Sequence, residues 1–184
     1  KAEAEKLVKI GDVAIYDSYY EHLTDDLVVA KAIDDRVGCF MQMELLKDNK
    51  AYYNDVYFVF STQEEVGTRG GLVAAKRISP EVGIAFDVTP SNDRPCDQAG
   101  DNRVGKGPAL LISDPSLIAD RQLVKYLESA AEACGEEMQR SCIMVGGSDA
   151  AAMNTATTGC KSTLMGIVIR YCHGPYSIIS LKDV

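Results

Sequence analysis

Short apolar segments of two kinds alternate along the chain, and this alternation limits the possible folds more than any other feature. Segments rich in β-branched and aromatic residues, such as 82–88 and 162–169, predict buried strands. Segments with apolar residues at helical spacing, such as 37–47, predict helices that pack on a sheet. Strands interleaved with helices indicate a layered α/β fold with a mixed, largely parallel sheet. We also predict strands at 13–18, 52–61, 109–113 and 138–145, a turn at 24–26, and helices at 72–78, 116–134 and 148–158.

The charge balance excludes two classes of partner. The 184 residues carry 27 acidic and 19 basic side chains, which gives a formal net charge of −8. A nucleic-acid-binding protein needs a basic surface to replace phosphate counterions, and binding to an anionic membrane surface also needs basic residues. The longest apolar run, 164–169, is far shorter than the roughly 18 to 20 residues that span a bilayer. We therefore expect no nucleic-acid partner and no membrane partner.

Cysteine usage and the first residues predict a cytoplasmic protein. Residues 1–12 lack the basic head, apolar middle and small-residue exit of a secretory signal. No two cysteines form a CxxC pair, so we expect reduced thiols, no disulfide and no zinc finger. The six cysteines are Cys39, Cys96, Cys134, Cys142, Cys160 and Cys172.

Several acidic side chains and one histidine lie next to the ends of predicted strands or the start of a predicted helix. Active sites of open α/β sheets form at the carboxyl ends of strands, so groups distant in sequence can converge there. Each group alone also has an ordinary interpretation, since acids cap helices and polar turns are usually solvated. The second histidine, His22, is interpreted as a surface residue. The candidate groups are Asp34, Asp35, Glu64, Glu65, Asp87 and His173.

A cluster of such carboxylates would require a cation. Several carboxylates in one dry pocket repel each other, which raises their pKa values, and a divalent metal ion removes that cost. Carboxylates with an imidazole suit zinc, cobalt or manganese. Bridging acids with few thiols suit two ions about 3.5 to 4 Å apart, the arrangement of hydrolytic aminopeptidases. The residues alone therefore suggest a metal-dependent hydrolase without assigning one.

Six motifs in register make the suggestion specific. Together they resemble the tetrahedral, deblocking-type glutamyl aminopeptidase family of metallopeptidases, some members of which are named cellulase or endoglucanase. The resemblance runs from about Gly11 to the last residue. It implies the zinc-aminopeptidase fold, a three-layer sandwich in which helices flank a mixed sheet. The motifs are KAIDDRVG, STQEEVGTRGG, AFDVTPSND, GKGPAL, GGSDAAAMNTATTG and RYCHGP.

The resemblance implies catalytic roles for three acids. Asp34 matches the aspartate that bridges two metal ions. Asp35 matches its neighbour, a supporting carboxylate of the catalytic site, and relatives often have a cis peptide bond between the two. Glu64 matches the general base, which would take a proton from the attacking water and pass it to the leaving amine.

The remaining matched residues are metal ligands. Glu65 and His173 would complete one metal site, and Asp87 would belong to the other. The family has a further ligand histidine upstream of an inserted β-rich dimerisation domain, and His22 does not lie in that motif. We therefore expect two divalent ions per full-length subunit but at most one tightly bound ion in this chain.

The resemblance also implies an organisation and an activity. Residues 1–29 would be the remnant of the inserted dimerisation domain and its linker, and 30–184 the C-terminal part of the catalytic domain, with the N-terminal part missing. The parent enzyme would remove N-terminal residues from peptides and form a homo-oligomer, while this chain alone would be weak or inactive.

Two alternatives remain open at this point. A glycoside hydrolase needs two carboxyls about 5 to 9.5 Å apart across the sugar. The adjacent Glu64 and Glu65 would project in different directions, which makes them a poor pair for that reaction. The other alternative is a truncated, non-catalytic fragment that keeps a folded scaffold.

Overall fold

The computed structural model describes residues 1–95 and 99–184. It contains seven strands and five α-helices within those ranges. In chain order these are α1 (Ala4–Leu7), β1 (Tyr20–His22), β2 (Leu27–Ala30), α2 (Ile33–Lys47), α3 (Arg69–Ile78), β3 (Val82–Pro90), β4 (Ala109–Ser113), α4 (Arg121–Cys134), β5 (Gln139–Cys142), α5 (Asp149–Thr155), β6 (Lys161–Ile169) and β7 (Ser177–Ser180), followed by a 3₁₀ turn at Leu181–Asp183.

The central sheet is mixed, as predicted, and has the strand order β3-β6-β4-β5. Strands β3 and β6 run parallel, and so do β4 and β5, whereas β6 and β4 are antiparallel. The carboxyl ends of β3 and β6 therefore lie at one edge of the sheet. The candidate residues Asp87 and His173 lie near those two ends.

Helices cover both faces of this sheet. Successive residues of a strand point to opposite faces, so neighbours on one strand contact helices on opposite sides. The neighbours Leu110 and Leu111 of β4 are both fully buried. Leu110 packs against Val124 of α4, whereas Leu111 packs against Ala150 of α5. Ile167 of β6 packs against the first turns of α2. The predicted three-layer α/β architecture is therefore confirmed.

Local capping fixes the helix ends close to the predicted positions. Ser148 accepts a hydrogen bond from the Ala150 amide and caps α5, as its position in the sequence predicts. Gly135 ends α4 in the left-handed conformation with φ of 77°, which glycine adopts at no steric cost. The predicted start of α4 at 116 is wrong. Asp120 accepts from two amides and is the N-cap, so the helix begins one turn later.

A second, three-stranded sheet has the order β1-β2-β7 and is antiparallel. The predicted turn at 24–26 is present, since the Thr24 side chain accepts from the Leu27 amide at 3.0 Å. The predicted strand at 13–18 is wrong. This turn places Tyr20–His22 opposite 28–30, so the pairing strand forms there, and Val13 and Ile15 remain exposed.

The predicted buried strand at 52–61 is also wrong. The segment has strand-like composition, but a bend at Tyr53 and Asn54 interrupts it and no strand of the described residues pairs with it. The Tyr53 side chain is fully exposed. The composition of the segment favours a strand but does not show whether another strand is available to pair with it. Among the described residues no strand does so.

The five described cysteines are free thiols, and Cys96 lies outside the described residues. No helix in the ranges 1–95 and 99–184 is long and apolar enough to cross a bilayer.

Candidate metal centre

Three connections bring the candidate residues to one edge of the fold. Asp34 follows β2, and His173 precedes β7. Since Ala30 pairs with Ser177 in an antiparallel ladder, these two side chains arrive at the same end of that sheet. Glu65 lies in the loop before α3. Together with Gly174 and Ser177 they line a pocket of about 250 Å³.

His173 lies between two carboxylates. Its Nε2 atom is 3.3 Å from Asp34 Oδ2 and 3.3 Å from Glu65 Oε2. A ring nitrogen carries at most one hydrogen, so it cannot donate a good hydrogen bond to both acids. Ligands about 2.0 to 2.2 Å from a tetrahedral zinc ion lie about 3.3 to 3.6 Å apart. Both distances therefore fit donors that share a divalent cation.

Cys172 adds a sulfur to this group. Its Sγ donates to Asp34 Oδ2 at 3.6 Å. Ligand atoms of Asp34, Cys172 and His173 all lie within 4.8 Å of one another. Burial and then the negative charge of Asp34 raise the pKa of the Cys172 thiol to about 12, so it is protonated at neutral pH. In that state the thiol supports the carboxylate as a hydrogen-bond donor.

The backbone is strained at the loops that carry these groups. Ala32, Gln63 and His173 have φ values of 55°, 59° and 60°, in the left-handed region that residues other than glycine rarely adopt. Each either is a candidate ligand or lies within two residues of one. Such conformations are concentrated at functional sites, where the surrounding structure enforces them.

Asp35 lies behind Asp34 at the start of α2. The peptide bond between them is cis, as the resemblance led us to expect. The Asp35 carboxylate accepts from the Gly38 amide at 3.0 Å. A Cβ atom at position 38 would lie 2.4 Å from that carboxylate and 2.7 Å from the Phe86 carbonyl oxygen. Glycine is therefore required for α2 to approach both the acid and β3.

Three acids of the site have raised pKa values. Burial raises the pKa of Asp35 to about 7, with further contributions from Asp34 and Glu64. Burial also raises the pKa of Glu64 to about 7 and that of Asp87 to about 8. The neighbouring acids raise all three as well. Burial and mutual repulsion both disfavour the ionised carboxylates, and a bound cation would offset that cost.

The structure thus brings all six sequence candidates into one electrostatically coupled region. His173 lies 3.3 Å from both Asp34 and Glu65. Asp87 is buried deeper near the end of β3, where its carboxylate accepts from the Val88 amide at 2.7 Å. Its charge interacts with those of Asp35, Asp34 and Glu64. His22 is not part of this region and contacts the Tyr20 hydroxyl instead, at 2.9 Å.

Sequence reasoning missed three residues next to the site. Cys172 was quoted within the motif RYCHGP but was given no role beyond that of a reduced cysteine. Asp149 was quoted within a motif but given no role, although its charge is the largest electrostatic contribution to the raised pKa of Glu64. Ser61 donates to Asp149 at 2.5 Å across 88 residues of sequence. The signal for all three was their presence in the motifs RYCHGP, GGSDAAAMNTATTG and STQEEVGTRGG.

Comparison with known protein sequences agrees with the resemblance found in the motifs. A family model described as M42 glutamyl aminopeptidase matches residues 1–184. A putative aminopeptidase of Acetivibrio thermocellus is 37% identical over 186 residues, covering 100% of this chain and 56% of that protein. The chain spans about half the length of the curated relatives it matches.

Solved structures give the same result. An aminopeptidase from the archaeon Desulfurococcus kamchatkensis superposes with a TM-score of 0.92 at 34% identity, over 100% of this chain and 53% of that one. The Pyrococcus horikoshii TET1 peptidase, which can assemble into a tetrahedron or a large octahedral shell, superposes with a TM-score of 0.84 at 30% identity. The superposed region covers 99% of this chain and 54% of the TET1 chain.

Proposed function

Because this chain belongs to the M42 glutamyl aminopeptidase family, we propose that it supplies catalytic residues of a metal-dependent aminopeptidase that removes N-terminal residues from peptides. One observation carries the proposal. The His173 ring nitrogen lies 3.3 Å from the carboxylates of both Asp34 and Glu65, the spacing of ligands around one divalent cation.

The donor set fits zinc, cobalt or manganese. Asp34, Glu65 and His173 would hold one ion, and a catalytic site of this type usually has three protein ligands and an open position. Asp87 would bind a second ion, and Asp34 would be a ligand of both ions. When bound, the ions lower the pKa of a water molecule and polarise the scissile carbonyl.

Glu64 would be the general base. It is half-buried beside Glu65 and is electrostatically coupled to Asp35, Asp87 and Asp149. Its carboxylate would take a proton from water and pass it to the leaving amine, a role that typically contributes about 10² to 10⁴-fold to the rate. Asp35 would hold its neighbour Asp34 in place from the start of α2. In the longer enzyme, Glu64→Gln would keep the metal and lose most turnover.

This chain would bind one metal ion tightly, not two. The first site has three protein ligands. The second site has only two, Asp34 and Asp87, which are too few for tight binding. The sequence contains two histidines, and His22 is engaged on β1. We therefore propose that the second site needs a histidine from outside these 184 residues, so that the chain alone has weak peptidase activity or none.

Calorimetric titration with zinc tests the centre. We expect one tight site in the wild type, no tight site in His173→Ala, and a nearly unchanged site in Asp87→Ala. His22→Ala is the matched control, because it removes the chain's other imidazole, which does not line the pocket, and this variant should bind zinc like the wild type. Two tight sites would refute the stoichiometry, and none would refute the assignment of Asp34, Glu65 and His173.

We propose that the longer protein is a homo-oligomer that acts on peptides, and that residues 1–29 belong to its inserted dimerisation domain. Supporting this, the structural neighbour from Pyrococcus horikoshii is a TET1 peptidase that can assemble into a tetrahedron or a large octahedral shell. A panel of aminoacyl anilides, run beside a β-glucan substrate, separates peptidase from glycoside hydrolase activity.

A further inference from the structure

A hydroxyl–carboxylate contact ties the Glu64–Glu65 loop to α5. The Ser61 Oγ donates to Asp149 Oδ2 at 2.5 Å, at the short end of the range for such bonds to an ionised acceptor. Asp149 is the first residue of α5, directly after the Ser148 cap. Ser61 lies three residues before Glu64. The contact therefore fixes the start of the loop against the packed interior.

The rest of the loop closes on itself and on α3. The Glu64 carbonyl accepts from the amides of Gly67 and Thr68 at 2.9 and 2.8 Å. The Thr62 carbonyl accepts from the Gly70 amide at 2.9 Å. The loop from 61 to 70 is thus one hydrogen-bonded unit, and Ser61 is where that unit is fastened to Asp149.

Asp149 also contacts α3 directly. A Cβ atom on Gly71 would lie 2.3 Å from the Asp149 Cγ, so the glycine permits close contact between the first turn of α3 and the acid. The carboxylate is therefore held from two sides, by the start of the loop and by the helix that follows it.

Stability does not account for an acid at this position. The Oδ1 atom of Asp149 is buried and has no hydrogen-bond partner among the described residues. An unpartnered buried carboxylate oxygen destabilises a fold, and its charge here repels those of Glu64 and Asp35. Residues that cost stability in this way are characteristic of functional sites.

We propose that Asp149 is a positioning residue of the metal centre, which acts through Ser61 to hold Glu64 and Glu65 in the orientation that binds the cation and the water. This role rests on the proposed function. Groups that support metal ligands through hydrogen bonds typically change metal affinity 10–100-fold when removed. Because Asp149 acts through Ser61 rather than on a ligand, we expect an effect of about tenfold, at the lower end.

The test is a double-mutant cycle read by zinc affinity. Calorimetric titrations are run on the wild type, Ser61→Ala, Asp149→Ala and the double variant. Each single variant should weaken zinc binding about tenfold, and the double variant should be no weaker than either, because both remove one linkage. Ser61→Thr keeps the hydroxyl and should restore the affinity. Urea unfolding of metal-free Asp149→Ala should show an unchanged or raised midpoint.

Thr157→Val is the matched control. The Thr157 hydroxyl lies 3.1 Å from that of Ser79 and joins the far ends of α3 and α5, away from the loop. The Thr157→Val variant should bind zinc like the wild type. Wild-type zinc affinity in Ser61→Ala and Asp149→Ala, or additive losses in the double variant, would overturn the proposed role of Asp149. These outcomes would leave the metal centre itself in place. A wild type that binds no zinc would refute the metal centre itself and this role with it.

Discussion

Asp93→Asn should destabilise the fold through the end of β6. Asp93 and Arg170 form two parallel hydrogen bonds of 2.9 and 2.7 Å, and the Val104 amide donates to the same carboxylate at 3.2 Å. Arg170 directly follows β6, three residues before His173. The substitution keeps the shape of the side chain and removes its charge, so it isolates the electrostatic part of this contact.

The magnitude follows from the pKa of Asp93. Hydrogen bonding to Arg170 lowers it from 3.8 to about 2. A shift of that size corresponds to about 2 kcal/mol of folding free energy at neutral pH. Solvent screening is modest, because the Asp93 and Arg170 side chains are 9% and 29% exposed. We therefore expect Asp93→Asn to lower the free energy of unfolding by about 2 kcal/mol at pH 7.

The pH dependence provides a second check. A group whose pKa is lowered by folding contributes its full stabilisation above its unfolded pKa and loses it as the pH falls towards its folded pKa. The difference between wild type and Asp93→Asn should therefore be constant from pH 7 to 5 and fall to about half by pH 3. Urea unfolding at each pH, followed by circular dichroism, measures this difference.

Glu128→Gln is the control for this experiment. Arg140 donates to Glu128 with the same paired geometry, at 2.6 and 2.9 Å, but the Arg140 side chain is 68% exposed. Exposed ion pairs contribute little, so this variant should change stability much less. Equal losses in the two variants, or a pH-independent loss in Asp93→Asn, would show that the partial burial of the Asp93–Arg170 pair does not set its strength.

Two further predictions concern a helix cap and the thiols. Asp120→Ala should cost about 1 kcal/mol in urea unfolding, because the side chain accepts from the amides of Gln122 and Leu123, whereas Asp120→Asn should keep most of the stability; a loss in both alike would mean that the cap does not act through these bonds. Titration of the denatured, unreduced protein should yield six reactive thiols, as the cysteine pattern of the sequence predicts, and a lower count would reveal a disulfide.

The periodic segments of the core were predictable from sequence, and the paired edges were not. Strands such as β6 and the capped helix α5 have signals within their own residues, an apolar run in one case and Ser148 in the other. Strand β7 has only four residues and depends on β2 for its hydrogen bonds. The segment 52–61 shows the converse, since it has strand composition but no partner among the described residues.

The candidate ligands were found because strand ends and family motifs point to the same residues. The supporting residues also lie in family motifs, but the motifs do not indicate what these residues contact. Cys172 contributes through a contact with Asp34 that is 138 residues away in sequence, and Asp149 through one with Ser61 that is 88 residues away. A single sequence does not encode those contacts as a local pattern, so only the folded arrangement reveals them.

The pairing of β2 with β7 has a consequence for the order of folding events. Leu27 pairs with Ser180, so strands from nearly opposite ends of the 184 residues join in one ladder. Contacts this distant in sequence form slowly, because a long loop must close before they are rewarded. The pocket that His173 lines with Asp34 and Glu65 is therefore assembled only when this long-range pairing closes.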